Sequence, residues 1–220
     1  MSALTPDYDS DPARWASDDS STRPFGNVHE RVAALVTAEG AAPTIDVGGG
    51  QGRLATRLPR AWPAVLVDNS PTQLARADAR ARKLRAEATR LPVADGSAGS
   101  VAMLWMLYHL SHPGTALEEA RRALRPGGLL LASTASRRND PELTDGYPPT
   151  SFDAEEAGEI VSSVFGEVTV ESWDAPLAYL VDGDAVVRYC RSHLLPASAA
   201  ARVSPPVWLT KRGCLVIARR

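Results

Sequence analysis

The sequence predicts an α/β protein in which helices flank a doubly wound, mostly parallel sheet. Three observations carry this. Thr44-Ile45-Asp46-Val47, a short apolar run after Pro43, passes through Gly48-Gly49-Gly50-Gln51-Gly52 into the alanine-bearing apolar stretch 54–58. A strand that feeds a helix through glycines is the ligand-binding corner of such a sheet. A second β-branched run, Ala64-Val65-Leu66-Val67, ends on an acidic residue, Asp68. Further apolar runs at 100–106 and 129–133 alternate with a helix-like segment at 114–124, the rhythm of strand, helix, strand.

The bounds agree with one domain. A chain of 220 residues with 44% hydrophobic content has room for a sizeable core. A net charge of -2 does not suit a protein whose affinity comes from neutralising many phosphates. The start of the chain is acidic and polar, without the pattern of a secretory signal, and no apolar run approaches the ~18 residues of a membrane span. Cys190 and Cys214 belong to no CxxC pattern, which suggests neither a disulfide framework nor a zinc site. The expected compartment is cytoplasmic, with no membrane partner.

In chain order, residues 1–40 read as an N-terminal arm and helix, and 41–220 as the main domain. The arm is rich in Asp, Ser, Pro and Thr, with Tyr8, Trp15 and Phe25 as spaced apolar exceptions. Asn27 can cap a helix to about Ala38 that carries Val28, Val32, Leu35 and Val36 on one face. After the glycines, a helix over 53–58 stops at Pro59. Asp68 is placed to accept from two ribose hydroxyls, and Asp68-Asn69-Ser70-Pro71 also opens a helix, with Ser70 the better cap. That helix carries Leu74, Ala77, Ala81 and Leu84 inward. Arg76, Arg80, Arg82, Lys83 and Arg85 form its solvated face, since Asp78 and Glu87 interrupt them and no aromatics interleave.

The fourth strand, 100–106, is apolar throughout and so buried on both faces. It leads through Trp105 to Tyr108 and His109. Helix 114–124 has Leu117, Ala120 and Leu124 inward and Glu118, Glu119, Arg121 and Arg122 outward. Arg125-Pro126-Gly127-Gly128 turns it into the strand at 129–133. A proline-bearing loop comes next, then a helix over 153–164 capped by Ser151 or Asp153, a strand over 168–173, and a last strand over 213–218. Between those two strands lie about forty residues, more than a hairpin needs. Within them 184–195 is helix-like and 203–209 irregular.

The glycine spacing discriminates among ligands. A dinucleotide fingerprint would want its third glycine at 53, which is Arg53, and no Gly-Lys-Ser/Thr grips a phosphate. The spacing Asp46-x-Gly48-x-Gly50-x-Gly52 instead resembles motif I of the class I S-adenosylmethionine (SAM)-dependent methyltransferases. Two further segments resemble that family in a methyltransferase-11-like form. They are Glu87-Ala88-Thr89-Arg90-Leu91-Pro92, and the run from Ala116 to Ser133, with its Leu-Arg-Pro-Gly-Gly turn. The resemblance covers residues 42–135, with Ala98-Gly99 standing where relatives usually carry Phe-Asp.

It implies a Rossmann-like, doubly wound, seven-stranded sheet with an antiparallel last strand, and SAM as cofactor. By resemblance the cofactor-binding residues are Asp46, Gly48, Gly50, Gly52, Asp68, Asn69, Glu87, Ala88 and Trp105. Glu87 accepts from the adenine amino group and the Ala88 amide approaches a ring nitrogen. The N-terminal arm is either pinned to the core or a lid, and residues 175–212 are an insert that caps the acceptor pocket or packs over the sheet. Trp105 and Tyr108 wall a pocket or fill the core. The acceptor is expected to be a small molecule of a biosynthetic pathway. The alternatives are an RNA or protein acceptor, and a non-catalytic SAM-binding partner. No Asn/Asp-Pro-Pro-aromatic motif and no basic surface favour a nucleic acid. Methyl transfer needs alignment and exclusion of water more than a base, so catalytic residues are not set by the pattern. His109 is the candidate base.

Overall fold

The computed structural model describes residues 21–22, 27–77 and 80–220. Its strands are β1 (Ser21–Thr22), β2 (Thr44–Val47), β3 (Ala64–Asp68), β4 (Arg82–Arg85), β5 (Ala98–Leu104), β6 (Leu124–Ala135), β7 (Val168–Leu180) and β8 (Val207–Arg219). They form one sheet in the order β1-β7-β8-β6-β5-β2-β3-β4. β4, β3, β2, β5 and β6 run parallel, and β8 is antiparallel to both β6 and β7. The expected seven-stranded sheet with its antiparallel last strand is therefore present. β1 adds two residues outside β7, pairing antiparallel at Tyr179 and Ala178. Tyr8, Trp15 and Phe25 lie outside the described residues.

Helices cover both faces. On one, α1 (Val28–Ala38) and α2 (Pro71–Arg76) bury Val32, Val36 and Leu74 together with Leu54, Leu58, Leu66 and Leu131. On the other, α3 (Pro113–Ala123) and α4 (Ala157–Phe165) bury Leu117, Ala120 and Val161 against Val101, Leu130 and Val216. Every residue of β5 is buried, as its apolar run requires at the centre of a two-faced sheet. A third, smaller core joins β7 and β8 to α5 (Gly183–Ser192) through Leu180, Val186, Tyr189 and Leu209. Among the described residues no helix is long and apolar enough to cross a membrane.

Four local expectations change. Residues 53–58 form successive turns rather than a helix. The carbonyl of Arg53 accepts from the Thr56 hydroxyl and the Arg57 guanidinium, both at 2.8 Å, and such side-chain bonds compete with helical ones. The helix after Asp68 stops at Arg76, where Ala77 turns extended (ψ 149°). Leu84 belongs to β4, whose Arg82, Lys83 and Arg85 are exposed on the outermost strand, where charge guards an open edge. β7 and β8 have thirteen residues each, which leaves 181–206 between them where 175–212 was expected to be insert. Helix α4 starts at Ala157, not at 153, because the Asp153 carboxylate already accepts the amide (2.9 Å) and hydroxyl (2.6 Å) of Thr150.

Candidate functional site

The chain reverses its winding between β2 and β5, neighbours from which the sheet grows outward in both directions. Outside the carboxyl ends of strands at such a point lies the usual ligand crevice. Asp46 sits on β2 with its side chain buried at 4% exposure. Burial, then the nearby charge of Asp68, pushes its carboxyl up to about 7. Over it passes the glycine turn. A Cβ on Gly49 would stand 2.4 Å from the Asp46 carboxyl and 2.6 Å from Leu66, so glycine there is demanded by the protein's own packing. Gly50 differs: it has φ +55°, and a Cβ on it would meet nothing closer than Gln73 at 3.7 Å. Its outer side is open to a ligand, and its backbone conformation excludes most side chains. Gly48 and Gly52 also have positive φ.

Asp68 closes β3 and is fastened from two directions. The Gly50 amide donates to its Oδ2 and the Ser70 amide to its Oδ1, both at 2.9 Å. A carboxylate has about four acceptor sites, so each oxygen keeps acceptor capacity on its outer side. The carboxylate therefore joins the glycine turn to the end of the next strand and still presents two oxygens to a diol. Asn69 is exposed, and its carbonyl accepts from Arg85 Nε at 3.1 Å. The amide of Ala86 donates to the Asp68 carbonyl at 3.2 Å, which brings Glu87, exposed, and Ala88, buried, to the end of β4 beside Asp68.

Trp105 comes directly after β5 with φ +58°, an outlier for a bulky side chain. Its amide donates to the Ser133 carbonyl at 3.1 Å. Its ring meets Trp173 edge-on, centroids 5.9 Å apart. The next residue, Met106, packs where a Cβ on Gly48 would come within 2.8 Å. The expected residues thus lie along the carboxyl ends of four neighbouring parallel strands, linked from Trp105 to Glu87 by direct contacts and backbone bonds.

Tyr108 and His109 lie in the adjoining 3-10 turn. Burial raises the Tyr108 phenol well above its ordinary value and lowers His109 to about 4. A histidine that weak is a poor acceptor for the proton of a hydroxyl near neutral pH.

The structure also shows groups that periodicity could not reveal. Arg122, read as outward, reaches back over the segment after Ala88. It donates to the Leu91 and Val93 carbonyls at 3.1 and 3.0 Å, grips both oxygens of Glu119, and bonds Asp95. Glu119 in turn accepts the Leu91 amide at 2.7 Å. On the loop after β6, fully buried Asp140 accepts from Asn139, Tyr147, Tyr189 and Lys211, each at 2.8 Å. It ties α5 and β8 to that loop. Finally, Gln73 on α2 is buried, and its Nε2 has no hydrogen-bond partner among the described residues. Helical periodicity gave no signal for Arg122, read as outward, or for Asp140, which lies outside any helix; Gln73 is set apart by its burial.

Comparison with known proteins gives concordant findings. A family model described as a methyltransferase domain matches residues 45–132. An uncharacterized methyltransferase of Mycobacterium sp. (strain JLS) is 34% identical over 130 residues, covering 56% of this chain and 51% of its own length. The ubiquinone/menaquinone biosynthesis C-methyltransferase UbiE of Dinoroseobacter shibae is 32% identical over 120 residues, covering 49% and 48%. The chain spans about half the length of these curated relatives. Among solved structures, the 4+2 cyclase SpnF aligns with a TM-score of 0.61 at 19% identity, over 87% of this chain and 81% of its own. At that identity the likeness is one of fold.

Proposed function

We propose that this chain, a class I SAM-dependent methyltransferase by the domain at residues 45–132, transfers a methyl group to a small-molecule acceptor in a biosynthetic pathway. SAM is the cofactor of this family, and when bound it supplies a methyl on a positively charged sulfur, already activated for in-line displacement. The residues fit it. The Asp68 carboxylate, held by the Gly50 and Ser70 amides, would accept the ribose hydroxyls. Glu87, exposed at the end of β4, would accept from the adenine amino group, with the Ala88 amide beside it. Gly50, with open space where a Cβ would stand, allows close approach of the backbone. Asp46 and Trp105 would border the remainder of the cofactor. Asn69, next to Asp68, completes the set.

The observation that carries this reading is the doubly anchored Asp68 at the point where the sheet reverses. An acceptor-only group at the end of β3, held in place by two backbone amides, suits a diol. Burial lowers His109 to about 4, which favours catalysis by alignment and exclusion of water over transfer of a proton to this histidine. The net charge of -2 speaks for a small acceptor over a nucleic acid. The likeness to a quinone-pathway C-methyltransferase over half its length supports biosynthesis in the same general sense.

Calorimetric titration with SAM and with S-adenosylhomocysteine tests the cofactor site on wild type, Asp68→Ala and Glu87→Ala. Micromolar binding that each substitution weakens tenfold or more is expected. A folded wild type, stripped of co-purified ligand, that binds neither compound would refute the reading. Tight binding without methyl transfer to any metabolite fraction would favour other chemistry on this fold.

A further inference from the structure

We propose that Gln73 is a nucleoside-binding residue, its side-chain Nε2 donating a hydrogen bond to a ribose hydroxyl whose proton Asp68 accepts; this rests on the SAM reading of the site. Gln73 is the third residue of α2, and its position is fixed from the backbone: its amide donates to Ser70 Oγ at 3.1 Å. The side chain is only 5% exposed, yet Nε2 meets no partner among the described residues. Its carboxamide oxygen lies 3.7 Å from where a Cβ on Gly50 would stand. The head group therefore sits at the same turn whose amide grips Asp68. Buried polar groups in native proteins are nearly always paired, and an exception asks for a reason. A residue there merely to fill space beside buried Leu74 would satisfy packing better as leucine or methionine, without leaving a donor unmet.

The chemistry of a hydroxyl supplies the reason. A hydroxyl both donates and accepts, whereas a carboxylate only accepts. Asp68 can take the proton of a ribose hydroxyl but offers nothing to its lone pairs. The Gln73 carboxamide, whose oxygen lies at the Gly50 turn, carries on its Nε2 the donor that supplies the complementary half. Asp68 and Gln73 together would read one hydroxyl from both sides, and a site built to pair with a hydroxyl rejects the analogue lacking it.

The test uses the full chain, S-adenosylhomocysteine, and its 2′-deoxy and 3′-deoxy forms, titrated calorimetrically on wild type, Gln73→Met and Gln73→Leu. Thermal unfolding without ligand is measured alongside. Both variants are expected to bind S-adenosylhomocysteine about tenfold more weakly, with an unfolding midpoint equal to wild type or higher. For one deoxy form the penalty of the substitution should vanish, because the hydroxyl that Gln73 reads is gone. Equal affinity of wild type and both variants would overturn the proposal, as would a lower midpoint with unchanged affinity, the mark of a filler residue. Failure of wild type itself to bind would overturn the cofactor reading as well, so the two failures are distinguishable.

Discussion

Replacing Asp46 by Asn tests the electrostatics on which the site is built. The folded protein holds the Asp46 carboxyl near 7 against an ordinary value of 3.8, so it binds that proton more tightly than the unfolded chain does. Stability from the protonated form is fully present below pH ~4, drains away as pH rises through the window to about 7, and is flat above it. At about 1.4 kcal/mol per pKa unit, a shift of this size is roughly 4 kcal/mol over the window. Asparagine mimics the protonated acid and cannot ionise. Asp46→Asn should therefore match wild type near pH 4 and exceed it at pH 8 by several kcal/mol, about 8 °C or more in midpoint for a chain of this size. Other carboxylates contribute slopes of their own, so the readout is the difference between the two proteins, measured by urea unfolding from pH 4 to 8 without ligand. Because burial outranks the Asp68 charge as the cause, Asp68→Asn should move the midpoint of that difference down only in part. Parallel stability profiles for wild type and Asp46→Asn would refute the reasoning, since a carboxyl that titrates alike in both states contributes no slope.

Two further outcomes are expected at the same corner. Gly49→Ala places a methyl 2.4 Å from the Asp46 carboxyl and 2.6 Å from Leu66, and overpacking of this kind costs about 1–3 kcal/mol; an unchanged urea midpoint would contradict the packing described. Arg122→Lys keeps the charge but loses the planar fork that spans Glu119, Asp95 and two carbonyls. The expected cost is about 1–3 kcal/mol, with faster amide exchange at Leu91, and protection there equal to wild type would count against a clamping role.

The features legible in the sequence were those local in the chain. A strand running into glycines, and a second strand ending on Asp68, announce themselves within a dozen residues, and the sheet order is set by connection rules. The edge strand β4 was hidden because Arg-Lys-Leu-Arg lacks the apolar alternation of a half-buried strand; its pairing with β3, not its composition, makes it one. Residues 53–58 carry helical spacing, but Pro59 and the bonds of Thr56 and Arg57 to one carbonyl leave no room for a helix. Arg122 and Asp140 were invisible for another reason. Their partners lie 29 residues away at Val93 and 71 away at Lys211, and no periodicity links such distances. Gln73 fell inside a helix as expected, but only its burial, with Nε2 unpartnered among the described residues, distinguishes it from any surface glutamine.

Three residues other than glycine hold positive φ among those described, namely Trp105, Asp140 and Leu194, and local chemistry accounts for two of them. Leu194 lies just past the last turn of α5 with its amide on the Arg191 carbonyl and the next amide on that of Cys190, the paired closure that ends many helices in a left-handed residue. Asp140 is of a type that tolerates this region, and its four donors hold it there. Trp105 has no such compensation: a bulky residue is bent sharply just as its strand ends, beside the reversal between β2 and β5. Within the same corner Asp46 buries a carboxyl group, and Gln73 buries a donor that meets no partner among the described residues. Strain of this sort costs on the order of 1–3 kcal/mol per residue and persists where the surrounding structure over-determines it. The buried leucines of β5, β6 and their covering helices supply that constraint, while the costs gather at one end of four strands. A turn that served only to connect β2 to β3 would relax each of them by ordinary substitutions. Their coincidence at the crevice is what a ligand site requires, and it agrees with the cofactor placement proposed from the glycine turn and Asp68.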